Sequence, residues 1–290
     1  MTLTRRTVLR AGLALPLAAS AGLLAAGSAA ATTDPDVDEL ERAHDVTLGV
    51  SAANLATGAR LAHRDGDRFP ILSVFKSLAA AAVLRDLDED RLAHRVWYPP
   101  ADVLANSSVT AERVGTGMTV AELCDAAIRF SDNAAGNLLL REIGGPRGLT
   151  TFARSIGDRA TRLDRWETEL NSAVPGDERD TSTPAALARA FAGLLAGDLL
   201  RPRDRRRLRD WMLANTTSGA RFRAGLPADW RLADKTGGGD YGTNNDAGVA
   251  WNPAGEPIVI VAMSRRAEKD APRVDAALAD VARLVARRLG

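Results

Sequence analysis

Apolar residues recur at i, i+3 and i+4 through the middle of this chain and gather in short strand-like runs towards its two ends. Residues 35–44 predict a short helix. Val46–Gly58 predicts a strand ending in a turn, and "ARLAHR" after it completes a hairpin. From Phe69 the pattern turns helical, and "FPILSVFKSLAAAAVLRDL" reads as one long apolar helix beginning there. "TVAELCDAAIRF" and "AAGNLLLREIG" predict two more helices, and "GGPRGLTTFARSIG" a third after its Gly/Pro break. "TSTPAALARAFAGLLAG" starts with N-cap chemistry and carries Pro184 in its first turn. Beyond Arg221 strand signals return in "DWRLADKTGGG", "NNDAGVAWNP" and "EPIVIVAMSRR". "VDAALADVARLVARRL" predicts a closing amphipathic helix.

Strands at both ends and helices between them imply an α/β fold of the α+β sandwich type. An antiparallel sheet is built from both termini (residues 32–69 and 218–290) with flanking helices. An all-α domain (70–217) is inserted into it. The cleft between the two is the natural place for a small-molecule site.

Residues 1–31 do not fit a globular pattern. Arg5, Arg6 and Arg10 precede an Ala/Leu/Gly-rich stretch, and small residues follow at 28–31. That is the layout of a cleavable export signal, and the paired arginines suit twin-arginine export. The expected location is secreted, periplasmic or cell-envelope, with no membrane contact after processing, because the stretch is short and broken by Pro16. Net charge over the 290 residues is +1, which gives no electrostatic case for nucleic acid. "RPRDRRRLRDW" reads as a solvated helix face. A monomer is expected.

Cys124 is the single cysteine, so no internal disulfide is expected. His44, His63 and His94 are scattered, which argues against a metal centre and against a Ser-His-Asp triad. Lysine is rare: Lys76, Lys235 and Lys269 stand among 38 basic residues. A chain that writes arginine almost everywhere keeps lysine where an amine must titrate. Lys269, in "RRAEKDAPR", reads as an ordinary surface lysine; Lys76 and Lys235 do not.

Ser73 and Lys76 lie three apart and share one face of a helix start. A desolvated amine there can take the serine's proton. The bland reading is a capping serine and a snorkelling lysine. Ser131-Asp132-Asn133 falls between two helices, where capping alone explains it. Lys235-Thr236-Gly237 lies on a strand ending in glycines, which a hairpin turn also explains. Each motif alone is weak; the three in this order are much stronger.

Together they resemble the motif set of class A serine β-lactamases and penicillin-binding proteins. "RWETELNSAVPGDERDTSTP" (165–184) is similar to the Ω-loop of the former, here spanning 165–180, and the likeness covers most of the chain. It implies no cofactor and no metal, and small-molecule β-lactams as substrates and inhibitors. It implies Ser73 as nucleophile, Lys76 or Glu167 as acylation base, and Ser131 as donor to the leaving nitrogen. The backbone of Ser73 and Gly238 would form the oxyanion hole. Asn133, Lys235, Thr236 and Gly238 would bind substrate. Glu167 and Asn171 would hold the deacylating water; Asp132, Asn137, Arg165 and Asp180 would support the loop and the motifs. Hydrolysis of penicillins and cephalosporins is expected, and Glu167 disfavours a D-Ala-D-Ala carboxypeptidase or a β-lactam sensor.

The chain also departs from that family. Asn244 stands where an arginine is common, and Arg221 matches an alternative that would reach the carboxylate or Thr236 with no part in stability. Asn106 replaces a common aromatic residue. Ala80 denies Cys124 a partner, Leu72 and Gly239 are not the cysteine pair of some members, and Thr168 replaces a proline in a Glu167–Thr168 bond expected to be cis.

Overall fold

A computed structural model describes residues 32–290; the proposed export signal lies outside the described residues. The sheet has five antiparallel strands: β1 (Thr47–Asn54), β2 (Arg60–His63), β3 (Arg231–Gly238), β4 (Asn244–Trp251) and β5 (Pro257–Arg265). Their spatial order is β2-β1-β5-β4-β3, so β3 is an edge. The strand from the N-terminal part is locked between its hairpin mate and the last strand, in the register Val50↔His63 and Val50↔Ala262.

β5 is an almost unbroken apolar run because both of its faces are covered. Ile258, Ile260 and Ala262 pack with Leu48, Val50 and the terminal helices α1 (Pro35–His44) and α8 (Asp275–Leu289). Val259, Val261 and Met263 face the inserted helices. These are α2 (Phe75–Asp86), α3 (Val120–Arg129), α4 (Asn133–Glu142), α5 (Gly145–Ser155), α6 (Pro184–Phe191) and α7 (Pro202–Leu213). α2 is the axis of the insert, buried from Phe75 to Leu84. α7 buries Leu208 and Met212 and sends Arg203 and Arg207 to Glu89, so the basic run is a helix face as expected. Cys124 is buried and free, and burial pushes its thiol upward.

One element differs from its sequence pattern. No helix begins at Phe69. Phe69–Pro70 pairs with Thr181–Ser182 as a short bridge, Leu72–Val74 is a 3₁₀ turn, and α2 starts at Phe75. Pro70 removes a helical donor, and Leu72 takes a left-handed φ of 53°. The nucleophile candidate therefore sits on a tight turn, not inside a helix.

Candidate active site

That turn aims Ser73 into the cleft, where it is 7% exposed. Lys76, the second residue of α2, is fully buried. Its Nζ lies 3.0 Å from Ser73 Oγ, 2.8 Å from the Ser131 carbonyl and 2.6 Å from Asn133 Oδ1. Glu167 Oε1 completes the shell at 3.0 Å. Burial pushes the Lys76 amine below its ordinary range; Glu167 and Asp132 oppose the shift. Ser73 Oγ is also 3.3 Å from Glu167 Oε1, so two bases reach it.

Asp132 caps α4 by accepting from Ala135 N–H, and it accepts from the Val109 and Thr110 amides as well. These bonds fix Ser131 in a left-handed turn, φ 57°, and put Asn133 at the first helical position. Asn106 donates to the Ser131 carbonyl at 3.3 Å, so the residue in place of the family's aromatic gate braces the motif.

Lys235 comes from the opposite wall. Fully buried on β3, it donates to Ser131 Oγ at 3.0 Å and to its neighbour's carbonyl at 2.8 Å. Burial, reinforced by the charges of Lys76 and Arg221, pushes its amine well below the ordinary lysine range. Gly237 lets the strand press on the nucleophile's turn: a Cβ there would stand 2.7 Å from Leu72 Cβ and 3.3 Å from Ser73 N. Gly238 therefore follows immediately beside Ser73, on an open sheet edge.

The Ω-loop brings in the rest. Asn137 clamps the Glu167 backbone with two bonds, 2.9 and 3.0 Å. Arg165 Nε closes the loop neck on Asp180 Oδ2 at 2.5 Å. The Glu167–Thr168 peptide is cis. Asn171 Nδ2 donates to Glu167 Oε2 at 2.5 Å, leaving Asn171 Oδ1 a buried acceptor with no protein donor.

Sequence reasoning missed several supports, because their partners are far apart in the chain. Thr236 Oγ1 pairs with Thr217 Oγ1 at 2.5 Å. Asp234 and Asp246 face each other on β3 and β4, both fully buried; Asn215 donates to the first and the Phe222 amide to the second. Burial raises both carboxyls, and the negative charge of Asp234 raises Asp246 further.

Arg221 differs from expectation. It is 8% exposed and makes no bond to Thr236. Its Nε pairs with Asp275 at 2.8 Å, and Nη1 donates to the Gly237 and Asn245 carbonyls at 3.1 and 3.0 Å. Asn244 joins the same Asp275 at 2.9 Å. Arg221 thus anchors the end of β3; its loss removes a donor from two carbonyls and leaves the Asp275 carboxylate with Asn244 but no cation bonded to it. Arg221→Ala is expected to cost about 1.5–3 kcal/mol of folding stability, a hydrogen-bonded charge's worth, visible as a clear fall in melting temperature, together with a lower kcat/KM. An unchanged melting temperature would contradict the anchoring role.

Far from the cleft, His63 lies near Asp38 and Glu41, the one grouping among the described residues with metal-ligand geometry. Arg64 already binds Glu41 at 3.0 Å, and His63 Nδ1 accepts the Asp34 amide. The residues therefore suit a neutralised carboxylate better than a cation.

The model of the β-lactamase enzyme family matches residues 33–289. A β-lactamase of Streptomyces fradiae is 51% identical, the match covering 98% of this chain and 96% of that one. The solved β-lactamase from Streptomyces albus G superposes with a TM-score of 0.87 at 52% identity, covering 88% of this chain and 98% of its own. An ancestral class A β-lactamase superposes with a TM-score of 0.84, also at 52% identity, covering 87% and 98%.

Proposed function

Since this chain belongs to the β-lactamase enzyme family, with class A members as its structural relatives, we propose that it hydrolyses penicillins and cephalosporins through an ester on Ser73, cleaved by a Glu167-activated water. Ser73 Oγ attacks the lactam carbonyl. Its proton leaves to Lys76 or to Glu167, both within hydrogen-bond reach. The oxyanion is held by the N–H groups of Ser73 and Gly238, each such donor worth about 3 kcal/mol in typical enzymes. As the C–N bond breaks, the ring nitrogen takes a proton from Ser131, whose hydroxyl is bonded to Lys235. The substrate carboxylate lies at Lys235 and Thr236, and Asn133 meets the side-chain amide.

The observation that carries the hydrolytic reading is the Glu167–Asn171 pair. A carboxylate and a donor-free amide oxygen, both buried, offer a water two acceptors beside Ser73. A penicillin-binding protein that keeps its acyl group has no use for them. Water gives its proton to Glu167 and its oxygen to the ester carbonyl, and Ser73 leaves with that proton. The reaction as written needs only groups of this chain and water. The paired arginines near the N-terminus support an exported enzyme.

Intact-mass spectrometry during steady-state turnover of benzylpenicillin is the direct test. Penicilloate with little adduct is expected. A stoichiometric, persistent adduct with little product would overturn the hydrolytic reading.

A further inference from the structure

A cavity of about 300 Å³ lies between residues 173–178 of the Ω-loop and the end of β5. That volume is at the low end for ligand pockets. Neither Ser73, Lys76, Ser131, Glu167 nor Lys235 lines it. Its apolar wall includes Pro70, Val174 and Pro175, and Val174 is 46% exposed, a branched side chain with little cover. Most charges in the wall are already engaged. Arg266 pairs with Asp45, and Asp177 with Arg179 and Arg165. Arg68 donates to the Ala160 carbonyl and the Thr181 hydroxyl, both at 3.0 Å. Asp67 and Glu178 act on Arg64 and Arg162, which stand outside the cavity.

Arg265 is different. Its guanidinium stacks on the Phe69 ring at 5.0 Å and reaches one carbonyl, that of Arg68, at a long 3.4 Å. It has no carboxylate partner among the described residues. Phe69 is fully buried, so the fork is held in place before any ligand arrives. Tyr241 comes from the adjoining turn: its carbonyl accepts the Arg266 amide at 2.8 Å, and its own amide donates to the Lys269 carbonyl at 2.7 Å. Its hydroxyl has no protein partner among the described residues.

We propose that this cavity is a second ligand site, separate from the Ser73 cleft, which takes a small organic monocarboxylate with a compact apolar body, and that the bound acid ties the Ω-loop to the end of β5. The chemistry follows from what is spare. A planar fork with open donors matches a planar carboxylate, and a phenol adds a further donor. The acidic groups at 67, 177 and 178 oppose a second negative charge, so a dianion such as phosphate fits poorly. The apolar body covers Val174 and Pro175. Loop and sheet already join nearby, where the Asp240 amide donates to the Asn171 carbonyl at 3.1 Å. The acid adds a second tie further along the loop.

The test is calorimetric titration and thermal melting of the protein with phenylacetate as the probe. Binding is read without turnover, so the result does not depend on the substrate of Ser73. At ten times its Kd the probe is expected to raise the melting temperature by about 3–5 °C, and hydrogen exchange of the 173–178 amides should slow. Arg265→Gln should weaken binding about tenfold or more, the loss of a hydrogen bond to a charged group. Arg265→Lys should recover part of it, since a point charge lacks the fork. Val174→Asp should abolish binding by repulsion and, at so exposed a position, leave the melting temperature of the free protein unchanged. No binding to the wild type would overturn the proposal. So would an affinity unchanged in both Arg265→Gln and Val174→Asp, which would put the probe elsewhere, or binding that leaves exchange at 173–178 as it was.

Discussion

Glu167→Gln is expected to turn hydrolysis into trapping: penicillin acylates Ser73 and the ester then persists. Glutamine keeps the shape of the side chain and its contact with Asn171, 2.5 Å away in the wild type, so the loop has no reason to move. What disappears is the ability to accept the water's proton. A positioned general base typically contributes about 10²–10⁴-fold, and deacylation should slow by that amount. Acylation survives, because Lys76 remains 3.0 Å from Ser73 Oγ. It also survives to lower pH. Burial depresses the Lys76 amine and Glu167 opposes that depression; with the carboxylate gone, the neutral amine persists at more acidic pH, and the acid limb of the acylation profile moves down. The checks are an adduct on Ser73 by mass spectrometry and the pH dependence of the burst. Turnover at the wild-type rate would remove Glu167 from its assigned role.

Asp180→Ala carries the largest expected loss of stability. The carboxylate is fully buried and closes the Ω-loop on Arg165, with its other oxygen accepting from the Asp164 and Arg165 amides at 2.7 and 2.9 Å. Alanine leaves the guanidinium without its main partner and two amides without an acceptor. It also places a Cβ residue with no compensating side-chain bond at φ 55°. Breaking a buried pair from one side costs about 3–5 kcal/mol, so the melting temperature should fall by roughly 10 °C. Deacylation should suffer with it, because Glu167 hangs on the same loop. Asp180→Asn keeps the amide acceptor and the turn, and should lose about half as much. A melting temperature within a degree of wild type for Asp180→Ala would show that the loop is held by Asn137 and the sheet instead.

The sequence made the long elements legible because their periodicity is strong. α3, α4 and α8 and the three C-terminal strands stand where the apolar pattern puts them. The motif residues were legible for another reason: two rare lysines and three short motifs in a fixed order. The start of the nucleophile helix was not, since Phe69, Ile71 and Leu72 are as apolar as a helix needs. Pro70 and the pairing of Phe69 with Ser182, far along the chain, decide otherwise. Arg221 was legible as a cation near the K-T-G strand and illegible as an anchor, because its partners lie at 237, 245 and 275.

β1 is hydrogen-bonded along its whole length to β5, and every residue of the helical insert lies between them in sequence. While the polypeptide is being synthesised, β1 and its short hairpin mate therefore wait with one edge bare until the last strand emerges. Pairing so distant in sequence is slow to nucleate, and an unpaired apolar edge invites the wrong neighbour. The polar charges at hand during that wait are few on β1 itself, whose residues are apolar, small or uncharged. A newly made chain is thus most vulnerable to aggregation in the interval before β5 arrives, and chaperones that cover exposed strand edges would act on it in that interval.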